Sequence, residues 1–372
     1  MKKILITKPS IDHNDLIEVN RAIVDGWGEN YLYFNKKFED NFKSYIGAKY
    51  CIATSSCTGA THIALKGLNI KKGDEIILPN ITWFSCASVI DYMGAKPVFV
   101  DVDVDTFCIN PNEIEKKITK KTKAIFIVHL YGAVCNIKKI RAIANKNKIL
   151  IIEDCAESIG SEYDNKKTGN FGDVSVFSFH GSKTITTGGE GGAILTNNKN
   201  LYKRMIKISN HGKNIDKIFF QDEVGLKYKM STIQCAMGIS QIKKINKLNK
   251  KKNVINNYFK KKLEKLPIKF QSSDKNSTPY YWMPTFYVNK KNFDRDDFIN
   301  FMKNKKVSLR PTFYQLSNFK FYKSSSKKND FSISNIISKN GVNLPSYYGL
   351  EKKHLDYIIK NILNYFFLNK IT

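Results

Sequence analysis

Residues 153–192 read EDCAESIGSEYDNKKTGNFGDVSVFSFHGSKTITTGGEGG. An apolar run, Lys148-Ile-Leu-Ile-Ile152, leads into Glu153 and Asp154; a second, Val174-Ser-Val-Phe-Ser-Phe179, leads into His180-Gly-Ser-Lys183. Short apolar runs bounded by turn residues read as buried strands, and each of these two ends near a charged side chain. The carboxyl ends of neighbouring strands in an open α/β sheet share one crevice, so an acid and an amine are brought to the same place. Lys183 stands in a bed of Gly, Ser and Thr that runs from Gly181 to Gly192, with Glu190 as its only acid. Small residues let backbone approach a ligand closely, and their amides can hold an anion. A lysine and an aspartate facing each other over a phosphate cradle are what pyridoxal 5'-phosphate needs. Lys183 would form the Schiff base, and Asp154 would keep the pyridine nitrogen protonated so that the ring withdraws electrons.

These residues resemble the DegT/DnrJ-type sugar aminotransferases, a fold-type I pyridoxal phosphate family. The match is carried by Glu153-Asp154-x-Ala156, by the Phe177-Ser178-Phe179-x-x-x-Lys183 run that places Lys183 29 residues after Asp154 (183 minus 154), and by the Gly189-Glu190-Gly191-Gly192 turn. The extra glycine at Gly188 departs from the shorter loop of the family. The resemblance implies that Glu157, one turn beyond Asp154, lies near the ring hydroxyl of the cofactor, where relatives carry Gln, His or Glu. Glu153 is expected to point away from Asp154, to the other face of the strand.

The rest of the chain extends the match. A strand at Tyr50–Ala53, the small polar turn Thr54-Ser-Ser-Cys-Thr-Gly-Ala60 and a helix over Thr61–Leu68 form a phosphate-binding arrangement, because the amides of a first helical turn point outward. It is similar to the family's S-G-T-x-A-L run, with Cys57 in place of Gly. By that likeness Thr58 and the amide of Gly59 hold the cofactor phosphate, and Ser178 donates from the other side. Trp83, just past a strand end at Leu78-Pro79, is either a core residue or, as the family implies, an aromatic that stacks on the pyridine ring. His129, after the strand Lys123–Val128, is either a catalytic base or a hydrogen-bonded structural histidine. Gly26-Trp27-Gly28 is either a turn anchored by a core tryptophan or the loop that the family brings near substrate.

Val224-Gly-Leu-Lys-Tyr-Lys-Met230 resembles a G-x-N-x-R-M loop that reaches across a homodimer to the partner's cofactor phosphate. Lys227 replaces Asn and Lys229 replaces Arg; a lysine neutralises a phosphate as a point charge rather than as a directional donor. The other reading is a solvated basic loop. Beyond residue 250 the parallel rhythm ends. Tyr280–Val288 alternates like a strand, and V-x-x-R-P-x-F-Y (Val307–Tyr314) and L-P-S-Y (Leu344–Tyr347) extend the resemblance. Arg310 is a candidate for a substrate anion. Asn14 is a candidate helix cap, and a single helix is expected from Thr232 to Leu248.

Composition sets the outer limits. With 372 residues and 42% hydrophobic content the chain can bury a large core and a smaller one. No run of 18 apolar residues exists, and the apolar stretch after Met1-Lys2-Lys3 is too short for a secretion signal. The seven cysteines are scattered without a C-x-x-C pair, so no zinc site and no disulfide framework is expected, and a reducing cytoplasm is. The net charge of +28 raises nucleic-acid binding. The lysines, however, are spread among Asn and Ile without an aromatic recognition run or a zinc finger, so they read as solvated faces.

The expected fold is therefore α/β: a large cofactor-binding domain, residues 1–248, and a small C-terminal α+β domain, residues 249–372. The resemblance implies a mainly parallel seven-stranded sheet in the first. It also implies transamination from an amino acid, glutamate being the expected donor, to a nucleotide-linked 4-keto-6-deoxy sugar in surface-polysaccharide synthesis. A small phosphorylated ketone is the alternative acceptor. The related sugar dehydratases, which carry His in place of the Schiff-base lysine, are disfavoured by Lys183, and so is a non-catalytic regulator.

Overall fold

The structure, a computed structural model, describes residues 2–214, 216–323 and 331–371. Its centre is one seven-stranded sheet. The strands are β1 (Tyr50–Thr54), β2 (Glu75–Pro79), β3 (Lys96–Val100), β4 (Thr122–Val128), β5 (Leu150–Asp154), β8 (Val174–Ser178) and β9 (Gly192–Thr196), in the spatial order β1-β9-β8-β5-β4-β2-β3; β6 (Glu162–Tyr163) and β7 (Lys166–Lys167) form a side ribbon. Every pairing from β8 to β3 is parallel, and only β9 runs antiparallel to its neighbours β8 and β1. The expected mainly parallel sheet is what the chain forms. β4 and β5 are fully apolar along most of their length because helices cover both faces.

The helices that precede the second sheet are α1 (His13–Asp25), α2 (Tyr33–Ile46), α3 (Cys57–Gly67), α4 (Ser85–Tyr92), α5 (Pro111–Ile114), α6 (Ile137–Asn147), α7 (Lys199–Ser209), α8 (Thr232–Ile242) and α9 (Ile245–Lys262). On one face, Phe34, Phe38 and Phe42 of α2 repeat every four residues in the core, and Phe38 and Phe42 meet Phe177 and Phe179 of the β8 region edge-on, at centroid separations of 4.9–5.4 Å. Because alternate strand residues face opposite sides, committing Phe177 and Phe179 to that core turns Ser178 the other way.

After α9 come β10 (Ile268–Phe270), β11 (Ser277–Thr278), β12 (Thr285–Val288), β13 (Arg310–Pro311) and β14 (Gly341–Asn343). Four of them form an antiparallel sheet, β10-β12-β14-β13, and β11 adds to the ribbon as β11-β6-β7. The small sheet has its own core, in which Phe286, Val288 and Val342 pack with Ile255 and Phe259 of α9, Phe298 and Ile358. Ile4 joins this second core and bridges to Val307, so the N-terminus packs with the C-terminal part.

Several local expectations change. The cap of α1 is Asp12, in a capping box with Asp15, rather than Asn14. The helix expected from Thr61 begins at Cys57, because the Ser56 hydroxyl accepts the Gly59 amide at 3.0 Å. The single helix expected from Thr232 to Leu248 breaks after Ile242. There Lys244 turns its amine onto Asp12 (2.8 Å) and Asp15 (2.5 Å) at the start of α1, and α9 then continues to Lys262, across the position where the second domain was expected to begin. The strand expected from Tyr280 starts only at Thr285, because the amides of Tyr280, Tyr281 and Trp282 bond Ser161 Oγ, Asn253 Oδ1 and Tyr131 O instead of a sheet neighbour. Among the described residues no helix is long and apolar enough to cross a membrane.

Candidate active site

β5 and β8 lie side by side, with Asp154 opposite Val176, so Asp154, Ser178 and Lys183 gather at the carboxyl end of the sheet. The turn after β8 is closed by Lys183 N to His180 O (2.8 Å) and Gly181 N to Gly189 O (2.9 Å). Gly188, Gly189 and Gly191 have φ of +92°, +114° and +155°, which explains the extra glycine: all three positions lie in the region that side chains disfavour.

Lys183 Nζ donates to Glu157 Oε1 at 2.9 Å, and both side chains are largely buried. The other Glu157 oxygen accepts the Tyr131 amide at 2.8 Å. Tyr131 adopts φ +52°, a left-handed conformation that a bulky residue rarely takes. Such strain persists where surrounding contacts over-determine it, and here it aims the N–H at Glu157. Asp154 is buried; its Oδ1 accepts the Ala156 amide (2.8 Å) and its Oδ2 the Cys86 thiol (3.3 Å). Burial pushes the Asp154 carboxyl above its ordinary range, against the opposing pull of the Ala156 amide, the Lys183 charge and the Cys86 bond. A buried acid with this balance gains by meeting a cationic N–H.

Behind this acid is a hydrogen-bond node. Glu153 points to the other face, as alternation requires. Its Oε1 accepts His129 Nε2 (3.0 Å), the Gly169 amide (2.5 Å) and the Cys155 thiol (3.4 Å), and its Oε2 accepts the amides of Phe171 and Gly172 (both 2.8 Å) and the Ser175 hydroxyl (3.0 Å). Burial raises this carboxyl, but the His129 contact and the Gly169 and Gly172 amides outweigh it and hold it at about 2. His129 Nδ1 accepts the Cys135 amide at 3.1 Å, so Nε2 carries the proton given to Glu153. His129 is thus a structural histidine. His129, Glu153 and Cys155 lie close enough to hold a metal, but both carboxylate oxygens are saturated by donors, and burial keeps the Cys155 thiol protonated.

The wall over Lys183 is aromatic, and its nearest member, Trp282, carries no sign of this role in the sequence. Lys183 Nζ lies 3.9 Å from the centroid of the Trp282 ring. Trp282 packs near-parallel to Tyr131 (6.4 Å), Tyr131 to Phe313 (5.3 Å), and Phe313 meets Trp83 at 5.7 Å. Trp83 is 57% exposed at the end of this row, so it is no core residue and its face is open to a planar ligand. Arg310 approaches the same Trp282 ring at 5.6 Å. Trp27 is exposed and its indole donates locally, to Ile23 O at 2.6 Å, which removes the core-anchor reading.

The phosphate end is less complete within one chain. Thr58 and Gly59 stand in the first turn of α3, where an anion is favoured, but the Gly59 amide is taken by Ser56 Oγ. Gly192 packs against this turn so closely that a Cβ there would lie 2.5 Å from Ser56 C. Ser178 Oγ accepts the His180 amide at 3.3 Å. The loop carrying Lys227 runs beside the same turn, through Ser55 N to Tyr228 O (2.6 Å). Lys227 itself is exposed and reaches Asn210 Oδ1 at 3.5 Å, in a cleft shared with Lys36, Lys213 and Lys229.

An amine, a buried acid that favours a cationic partner, an open aromatic face and a helix N-terminus fit pyridoxal phosphate. Comparison with known proteins agrees. The profile of the DegT/DnrJ/EryC1/StrS aminotransferase family matches residues 9–363. A GDP-perosamine synthase of Escherichia coli O157:H7 is 35% identical over 370 residues, covering 100% of both chains, and one of Vibrio cholerae is 33% identical, covering 97% of this chain and 98% of that protein. The crystal structure of an aminotransferase from Psychrobacter cryohalolentis superposes with a TM-score of 0.90 at 25% identity, over 98% of this chain and 99% of that one. A putative sugar aminotransferase of Streptococcus pneumoniae, solved in a PLP form, does so at 0.89 and 24%, over 96% and 97%. The fold, the geometry around Lys183 and these likenesses converge: this chain belongs to the DegT/DnrJ/EryC1/StrS aminotransferase family and is a pyridoxal phosphate-dependent aminotransferase.

Proposed function

We propose that this enzyme transfers an amino group from glutamate to a nucleotide-linked 4-keto-6-deoxy sugar, and that the sugar nucleotide is a guanosine diphosphate. The observation that carries the catalytic part is the Lys183 amine held at 2.9 Å by Glu157, above a buried Asp154 and beneath Trp282. The nucleotide is supported by the name of the two curated relatives, which match the chain from end to end.

When bound, the cofactor supplies an aldehyde that captures amines and a ring that withdraws electrons. Lys183 is the amine placed for that capture. Glu157 orients it and, held in turn by the Tyr131 amide, offers a carboxylate that a ring hydroxyl can replace. Asp154 holds a proton at the ring nitrogen, with burial strengthening the pair. When not bonded to the cofactor, Lys183 Nζ would carry a proton to and from the carbon that bears the amine. Trp83 presents its exposed face to the ring, and Thr58, Ser178 and the start of α3 receive the phosphate.

A homodimer with shared sites fits the Lys227 loop. Lys227 is exposed, and the tip before it carries Ile218 and Phe219 at 80% and 91% exposure, an apolar pair suited to burial against a second copy. Seven free cysteines fit a cytoplasmic enzyme that supplies an amino sugar for surface polysaccharide.

The experiment is to incubate the cofactor-loaded protein with glutamate and, in parallel, guanosine-, uridine- and thymidine-diphosphate 4-keto-6-deoxy sugars and a small keto phosphate. Formation of an amino sugar on the guanosine series alone is expected. Turnover of the small keto phosphate with no turnover of any sugar nucleotide overturns the proposal.

A further inference from the structure

Lys252, in the middle of α9, is a second lysine near Lys183, and only 5% of it is exposed. Its amine donates to Trp282 O at 2.9 Å and to Ser346 O at 3.1 Å, and among the described residues it forms no ion pair. A buried ammonium without a carboxylate is costly. Burial first, and the Lys183 charge second, bring its pKa down to about 7. Both amines line one narrow pocket, together with Ser182 and Ser346.

The bond to Trp282 matters because of what else holds that residue. Trp282 N donates to Tyr131 O at 2.8 Å, and its indole Nε1 donates to Ser182 O at 2.8 Å. Gly132, φ +102°, leaves room for the strand-like approach: a Cβ there would come within 2.3 Å of Tyr280 O. Three bonds therefore hold Trp282, two at its backbone and one at its indole, and the one from Lys252 is the only one of the three donated by another residue's side chain. The ring so fixed closes one side of the Lys183 amine at 3.9 Å and leaves it the direction of Glu157. The Ser346 bond ties the same amine to the loop after β14, so that the small sheet, α9 and the site share one anchor.

We infer that Lys252 is a positioning residue for the reaction: it locks the Trp282 carbonyl, and through it the indole plane, against Lys183, so that the Lys183 amine faces the cofactor side of the crevice. This rests on the aminotransferase reading for its consequence in turnover, but not for the lock itself, which exists in the cofactor-free chain.

The test has an arm for each. Trp282 is one of only three tryptophans, and the other two, Trp27 and Trp83, are exposed. In a Trp27→Phe/Trp83→Phe background without cofactor, emission therefore reports Trp282 alone. Lys252→Met is expected to shift that emission to the red and to raise acrylamide quenching by roughly threefold or more, and Lys252→Arg, which keeps the donors, to return it towards the starting value. In the cofactor-loaded enzyme with native tryptophans, Lys252→Met is expected to lower kcat by about tenfold to a hundredfold with KM for the amino donor within about twofold. A folded Lys252→Met with unchanged emission and unchanged kcat overturns the proposal. Should Lys252→Met fail to fold, Trp282→Phe decides: it leaves the carbonyl for Lys252 and removes the indole, and wild-type kcat in that variant overturns the proposal, whereas a tenfold loss upholds it. Unchanged kcat together with altered emission shows the lock without its catalytic use and also overturns the proposal. A protein that transfers no amino group to any acceptor, yet shows the emission shift, refutes the functional reading and not the lock.

Discussion

Replacing Glu153 by Gln probes the node behind the active-site acid. The carboxylate accepts six donors, three at each oxygen. Gln offers one oxygen and one amide nitrogen, so three donors must face an N–H. At about 1–3 kcal/mol for each buried group left unsatisfied, reduced by relaxation, the loss is about 3–5 kcal/mol. The depressed pKa leads to a similar figure. A shift from 4.5 to about 2 corresponds, at about 1.4 kcal/mol per pH unit, to about 3 kcal/mol. The sign follows from the direction: a carboxylate held below its unfolded value stabilises the fold above pH 4.5, and that contribution is lost as pH falls towards 2. With roughly 2.1 cal/mol/K of unfolding entropy per residue over 372 residues, the Tm of Glu153→Gln should fall by about 4–6 °C at pH 7. The assay is thermal unfolding of the cofactor-free protein from pH 7 to pH 3. The gap from wild type should narrow with acid, because only wild type loses this contribution. A Tm within about 1 °C of wild type at pH 7, or a gap that stays constant with pH, refutes the reasoning.

Asp154→Asn should leave the fold intact, since the remaining oxygen can still accept the Ala156 amide and the new amide nitrogen can face the Cys86 sulfur, a weak acceptor, and should cut turnover by about a hundredfold or more; near-normal turnover in a folded variant contradicts its role at the ring nitrogen. Gly192→Ala should weaken cofactor binding, because its Cβ would press on Ser56 at 2.5 Å and displace the first turn of α3; an unchanged dissociation constant, read from visible absorbance against added cofactor, counts against that turn as the phosphate site. On the shared-site proposal, Lys227→Ala should reduce cofactor retention by about tenfold, as loss of one charged contact does. Retention equal to wild type after dialysis means that the loop does not reach a phosphate.

How much of the site was readable follows from how far each partner lies along the chain. Asp154 and Lys183 stand at the ends of two short apolar runs, and Glu157 follows Asp154 by three residues, so local pattern was enough to bring them together. The Glu153 side chain followed from strand alternation alone. Trp282, by contrast, sits about a hundred residues from Lys183 in a run that alternates like a strand; only the bonds from Lys252, Tyr131 and Ser182 pull it out of the sheet. Tyr131 carries no sign of its left-handed turn, which exists because Glu157 and Phe313 hold both its ends. The break between α8 and α9 was equally hidden, since Lys244 leaves a helical pattern for acids more than two hundred residues away.

Periodicity and punctuation along the chain thus determined that this protein builds a mainly parallel sheet with an acid and an amine at the carboxyl ends of neighbouring strands, because strands, turns and side-chain alternation are set by neighbours a few residues apart. Which face the amine turns, what covers it and which buried charges remain were decided only when distant segments closed on one another. Those groups have partners only in the folded chain, and the free energy of burying them exists only there.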